Sequence, residues 1–239
     1  RLIFDAGSGL RLLGNQLLRQ MPVEAHLFFT HCHWDRIQGF PFFTPAFIPG
    51  NCFHIYGAEA SNGASIEQRL KCQMRAPNFP VPLQVMQSEL KFYNLTPGHK
   101  ILLDDLTIET VLLNYSYRSM GYRVTWQERS VVYATSRSHH SERIDQNLLQ
   151  LARQADLLIL DAPCKISTKD AIHSNILNWQ DELWQTGIRT AKAAGVKKIV
   201  ISRYNPDYDD DFLDRVEKQV QLVFPNDLLA REGMIVPVF

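Results

Sequence analysis

The segment Thr30-His31-Cys32-His33-Trp34-Asp35-Arg36 holds most of the sequence's chemical potential. His31 and His33 alternate, so in an extended turn both imidazoles point one way. Asp35 continues that parity, and Cys32 faces the other side. Two imidazoles and a carboxylate just after a strand form a donor set for Zn²⁺, Fe or Mn. The same pattern also suits a surface turn with a stacked Trp34, its histidines hydrogen-bonded to carboxylates or backbone. Cys32 reads as a small packed residue. No Ser or Cys has a partner base at a spacing that points to covalent catalysis.

A site of this kind must be held at the end of a strand and braced by neighbouring elements. Short apolar runs predict strands over residues 1–4, 26–30, 52–56, 92–95, 107–113, 157–160, 198–202 and 234–238. Residues 121–125 and 130–135 read as a hairpin whose turn lacks Gly. Leu10, Leu13 and Leu17 recur at helical spacing and predict a helix over 9–20. Further helices are expected over 65–74, 145–154, 184–194 and 211–223, the third closed by Gly195 and the last opened by an acidic run. His26, His54 and His99 show no partner pattern and read as structural.

Composition bounds the function. Lys plus Arg number 25 and Asp plus Glu number 25, for a formal net charge of zero, which argues against generic nucleic-acid binding. The chain has 239 residues, 45% apolar and 21% charged, and is expected to form a single α/β domain over residues 1–239. No run approaches the roughly 18 apolar residues of a membrane helix. The cysteines (Cys32, Cys52, Cys72 and Cys164) form no CxxC pair, so a disulfide framework or thiolate zinc site is not expected and a cytoplasmic setting is.

The segment at 31–36 resembles the metallo-β-lactamase signature HxHxDH, and the resemblance runs along nearly the whole chain. Phe4-Asp5-Ala6-Gly7-Ser8-Gly9 is similar to the strand–turn ahead of that signature, and residues 35–43 to its downstream helix. Gly121-Tyr122-Arg123-Val124, Tyr133-Ala134-Thr135, Leu158-Ile159-Leu160-Asp161-Ala162 and Asn205-Pro206-Asp207 follow in family order. The resemblance is greatest to the ribonuclease Z-like and phosphodiesterase-like branch. It implies an αββα sandwich. The family's first β-hairpin has no counterpart before Phe4, so residues upstream of Arg1 are expected.

The resemblance also implies a two-metal centre, and here the sequence departs from the pattern. His31, His33 and Asp35 match as metal ligands, with Asp35 the catalytic candidate if the site is active. The second His of the Asp-His pair is Arg36. Tyr115 stands at the later His and Ser136 at the bridging Asp. The late Gly-His motif falls on Asp181, or on His173 with an insertion, and the final His-His becomes Arg203-Tyr204. A guanidinium stays charged and has no lone pair for a metal. A dinuclear centre is therefore not expected. A mononuclear one would need His31, His33 and a third ligand from Asp35, Asp181, His139 or His140.

Two readings of the arginines stand. Arg36 and Arg203 form an anion-binding pair in place of the metals, or they neutralise Asp35 and Asp181 in a salt-bridged core. The expected function is that of a pseudoenzyme binding a small anionic ligand or a protein partner, with no cofactor. The alternatives are a mononuclear Zn (or Fe/Mn) phosphodiester or ester hydrolase, and a structural subunit of a larger assembly.

Overall fold

The computed structural model describes residues 1–113, 119–135, 144–161, 182–204, 208–223, 225 and 227–238. Tyr115, Ser136, His139, His140, Cys164, His173 and Asp181 lie outside the described residues. The chain divides into two units, Arg1–His99 with Tyr117–Met120, and Lys100–Ser116 with Gly121–Phe239.

The first unit alternates strands β1 (Leu2–Phe4), β2 (Glu24–Phe29), β3 (Cys52–Ala58) and β4 (Glu89–Leu95) with helices α1 (Gly9–Leu17), α2 (Trp34–Ile37) and α3 (Ile66–Gln73). The strands form one parallel sheet in the order β1-β2-β3-β4. Strand alternation sorts its two faces. Leu27 and Phe29 of β2 and Phe53 and Ile55 of β3 join Leu10 and Leu17 of α1 and Ile66 and Leu70 of α3 in a buried cluster. Each such side chain contributes roughly 1.5–3 kcal/mol by leaving water. Ser65 and Gln68 cap α3 reciprocally, side chain to backbone in both directions.

The other parity carries rings. Phe28 stacks on Tyr56 at 4.5 Å between centroids, Tyr56 on Tyr93 at 4.6 Å and His26 on His54 at 4.5 Å. His26 and His54 are thus partnered across the sheet, which no pattern in the linear sequence marks.

The second unit holds β5 (Lys100–Leu103), β6 (Leu106–Leu112), β7 (Met120–Trp126), β8 (Arg129–Ala134), α4 (Gln146–Leu151), β9 (Leu157–Asp161), α5 (Glu182–Ala194), β10 (Ile199–Ser202), α6 (Asp210–Val223) and β11 (Leu228–Leu229). Its sheet runs β11-β10-β9-β8-β7-β6-β5. The β7–β8 hairpin forms as expected, with Gln127 taking the positive φ of 51° that Gly would otherwise supply. Gly195 ends α5 with φ 69°. Buried Leu148, Leu151, Ile188 and Ala191 pack on Leu158 and Leu160.

One strand expectation changes, and one strand forms that no local pattern marks. Residues 234–238 form no strand. Ile235 is 91% exposed, and the free side of β10 is taken by Leu228–Leu229 instead. Apolar composition marked the segment, but a strand needs a partner edge. The short β5, with Leu102 exposed, lacks a helical or alternating signature and is created by antiparallel pairing with β6 across Asp104 and Asp105.

Candidate metal centre

The site begins at a turn. After β1 the chain turns at Asp5, which adopts φ 58°, a left-handed conformation that Asp tolerates. Asp5 donates its amide to Phe28 O at 2.8 Å, and Ala6 donates to Arg36 O at 2.7 Å. Gly39 closes the same joint by donating to Ala6 O at 2.8 Å. A Cβ on Gly39 would lie 2.0 Å from Gly7 O, so the approach needs glycine. The turn after β1 and the segment around α2 are thereby locked together.

The Asp5 carboxylate is buried beneath the His-rich segment. It accepts from Thr30 N at 2.8 Å, from Thr30 Oγ1 at 2.9 and 3.0 Å, and from the Arg36 guanidinium at 3.2 Å. Thr30 Oγ1 also lies 2.9 Å from His31 Nδ1. A hydroxyl has one proton, and here it points to the carboxylate. Thr30 then accepts from Nδ1–H, which in the neutral ring puts the lone pair on Nε2. Asp5 and Thr30 thus orient a candidate ligand histidine, a role that the sequence alone does not give them. The signal was available only as the strand–turn resemblance at residues 4–9.

His31 is buried, and His33 and Asp35 are half-buried. The backbone stays extended through His33, which caps α2 with φ −68° and ψ 157°, as the alternation argument requires. Asp35 departs from that argument because it lies in the first turn of α2. The helical turn still returns it to its neighbours. One ligand atom from each of His31, His33 and Asp35 lies within 4.8 Å of the other two. A tetrahedral zinc with bonds of about 2.0–2.2 Å spaces N and O donors about 3.4 Å apart. Small rotations thus fit the three around one cation. Such an ion would supply a Lewis acid that lowers the pKa of bound water.

Arg36 is buried, with its guanidinium 3.2 Å from Asp5 Oδ2 and 3.3 Å from Asp35 Oδ2. The expected Asp35–Arg36 pairing is present, and the guanidinium beside Asp35 has no lone pair to offer a metal. Cys32 packs against the core opposite the histidines, and burial pushes its thiol up to about 11, with nearby Arg69 and Asp5 acting in opposite directions.

The other carried-over positions fall in the second unit. Arg203 sits at φ 59° with its side chain half-exposed, ion-paired to buried Asp161 at 3.2 Å. Its observed carboxylate is thus Asp161, while Asp181 lies outside the described residues. Tyr204 packs against the second core, and its hydroxyl donates toward the carbonyls of Ile201 and Ala230. Burial pushes that phenol up, and the ring serves the β10–β11 edge.

Comparison with known proteins agrees with this architecture. The family described as Beta-lactamase superfamily domain matches residues 1–202, and the chain belongs to it. Its fold is the metallo-β-lactamase α/β fold. A metallo-β-lactamase fold protein from Bacillus subtilis, YhfI, superposes with a TM-score of 0.63 at 18% identity, covering 99% of this chain and 87% of that one. The short form of human tRNase Z superposes with a TM-score of 0.64 at 16% identity, covering 100% and 88%. No curated protein sequence matches significantly. Among the described residues, no helix is long and apolar enough to cross a membrane.

Proposed function

We propose that this chain is a superfamily member that has given up two-metal hydrolysis and works by binding, with a small anionic ligand or a protein partner as its target. The observation that carries this reading is the burial of Arg36 between Asp5 and Asp35. Its charge occupies the position after Asp35 and cannot be removed at any physiological pH. Arg36 is buried between two carboxylates, so the anion-binding role goes to Arg203, which pairs with Asp161 but keeps its side chain half-exposed.

The test is the difference in bound Zn, Fe and Mn between the native protein and a His31→Ala, His33→Ala variant, both purified without chelator. Well under one equivalent of difference is expected. A full equivalent would sink the reading.

The compact His31–His33–Asp35 triad favours a second reading, a mononuclear hydrolase of phosphodiesters or related esters. In it His31 and His33 hold the ion, and Asp35 orients or deprotonates the water. Turnover of a generic phosphodiester that vanishes in the double variant would establish this reading over the first.

A further inference from the structure

A second cluster of metal-type donors stands at the opposite end of the first sheet. Parallel register sets Glu24 of β2 beside Cys52 of β3, and Cys52 beside Glu89 of β4. Cys52 and His54 are two residues apart on one strand and so share a face. His54 Nε2 lies 3.0 Å from Glu24 Oε1 and 3.6 Å from Cys52 Sγ. One donor atom from each of the three lies within 4.8 Å of the others.

We propose that Glu24, Cys52 and His54 form a Zn²⁺ site separate from the His31 centre. Bond lengths of about 2.3 Å to sulfur and 2.0–2.1 Å to imidazole place S and N about 3.6 Å apart around a tetrahedral zinc. The observed Cys52–His54 separation is 3.6 Å. Glu24 and His54 at 3.0 Å need to open only slightly to share the ion. His54 Nδ1 is 3.2 Å from Tyr93 Oη, so the ring can keep its proton there and present Nε2 to the metal. His26 stacks on the His54 ring from β2 and holds its plane.

Solvent reaches the site from the side of Glu24, whose side chain is 67% exposed, leaving room for a water as fourth ligand. Glu89 of β4 lies beside Cys52 and pairs with Lys91 at 3.2 Å, so zinc binding by the thiolate releases the Cys52 proton. At about 3.3 Å per extended residue, the steps from Glu24 through β2 to His31 separate the two clusters by about 23 Å. The two sites can be tested independently. An ion here would clamp β2 to β3.

Cobalt(II) added to the full chain carrying His31→Ala and His33→Ala provides the probe. Ligation by Cys52 produces a thiolate-to-cobalt charge-transfer band that saturates at one equivalent and disappears on zinc addition. The band is expected to vanish with Cys52→Ser, to weaken with His54→Gln and Glu24→Gln, and to persist with Cys32→Ala, Cys72→Ala or Cys164→Ala. Tyr93→Phe should weaken zinc affinity by about tenfold, by removing the partner of Nδ1. Unchanged far-UV circular dichroism of Cys52→Ser confirms that the variant is folded. No band at stoichiometric cobalt, or a band that survives Cys52→Ser in the folded variant, overturns the proposal.

Discussion

Arg36 and Asp5, thirty-one residues apart, meet at 3.2 Å with side chains only 9% and 5% exposed. The carboxylate so held is also the one that fixes Thr30 and, through it, His31. One interaction therefore braces the turn after β1, the end of β2 and the start of α2. Removing one partner of a buried pair leaves the other charge uncompensated. Arg36→Ala should lower stability by about 3–5 kcal/mol, read by denaturant unfolding. Arg36→Met combined with Asp5→Asn should cost clearly less than Arg36→Ala. An equal cost would mean that the charge is not what matters.

The tautomer of His31 offers a direct check of the Asp5–Thr30–His31 relay. In the native protein, nitrogen NMR of the imidazole should show Nδ1 protonated and Nε2 bare. Thr30→Val removes the acceptor, and the population should move toward the Nε2–H form. An unchanged tautomer would show that another group sets it.

The joint between Gly7 and Gly39 is steric. Gly39→Ala places a methyl 2.0 Å from a backbone carbonyl, so the two segments must part. A loss on the order of 1–3 kcal/mol is expected by thermal or denaturant unfolding. Gly63→Ala is a poor control because φ there is 80°, whereas Gly9, with open space around it and no such strain, should tolerate Ala.

Asp227 is fully buried, its Oδ1 accepting from Ile199 N at 2.9 Å. Burial pushes its pKa up to about 7, partly opposed by that hydrogen bond and by Lys192. A carboxyl raised above its unfolded value near 3.9 favours folding when protonated, and that advantage fades as pH rises toward the folded pKa. Asp227→Asn keeps the acceptor and removes the titration. The variant should melt higher than the native chain at pH 8 and show a flatter stability profile between about pH 4 and 8.

Asp156 should behave in the opposite sense. Burial alone would raise its pKa, but hydrogen bonds from Lys197 and the Ser130 amide, with the charges of Lys197 and Arg129, outweigh it and hold the group below its usual value. Its stabilisation is present above the unfolded pKa near 3.9 and is lost as pH falls through the lower folded value. Asp156→Asn should destabilise the protein at pH 7, and the difference from native should shrink below about pH 4. A constant difference across that range would rule out the ionised form as the source.

Much of the architecture was legible locally. Leu10 and Leu17 at helical spacing gave α1 its buried face, and the apolar run at 26–30 marked β2, whereas the sorting of Leu27 and Phe29 from His26 and Phe28 came with the sheet. Alternation brought His31 and His33 together, and residue type alone showed that Arg36 could not serve a second metal. Tertiary structure decided the partners. Asp5 reaches Thr30 and Arg36 only because β1 pairs in parallel with β2 and the chain then takes a left-handed conformation at Asp5. Glu24 meets Cys52 and His54 only through the register of parallel strands. That register follows from packing both faces of the sheet at once, an energy summed over distant residues that no local spacing records.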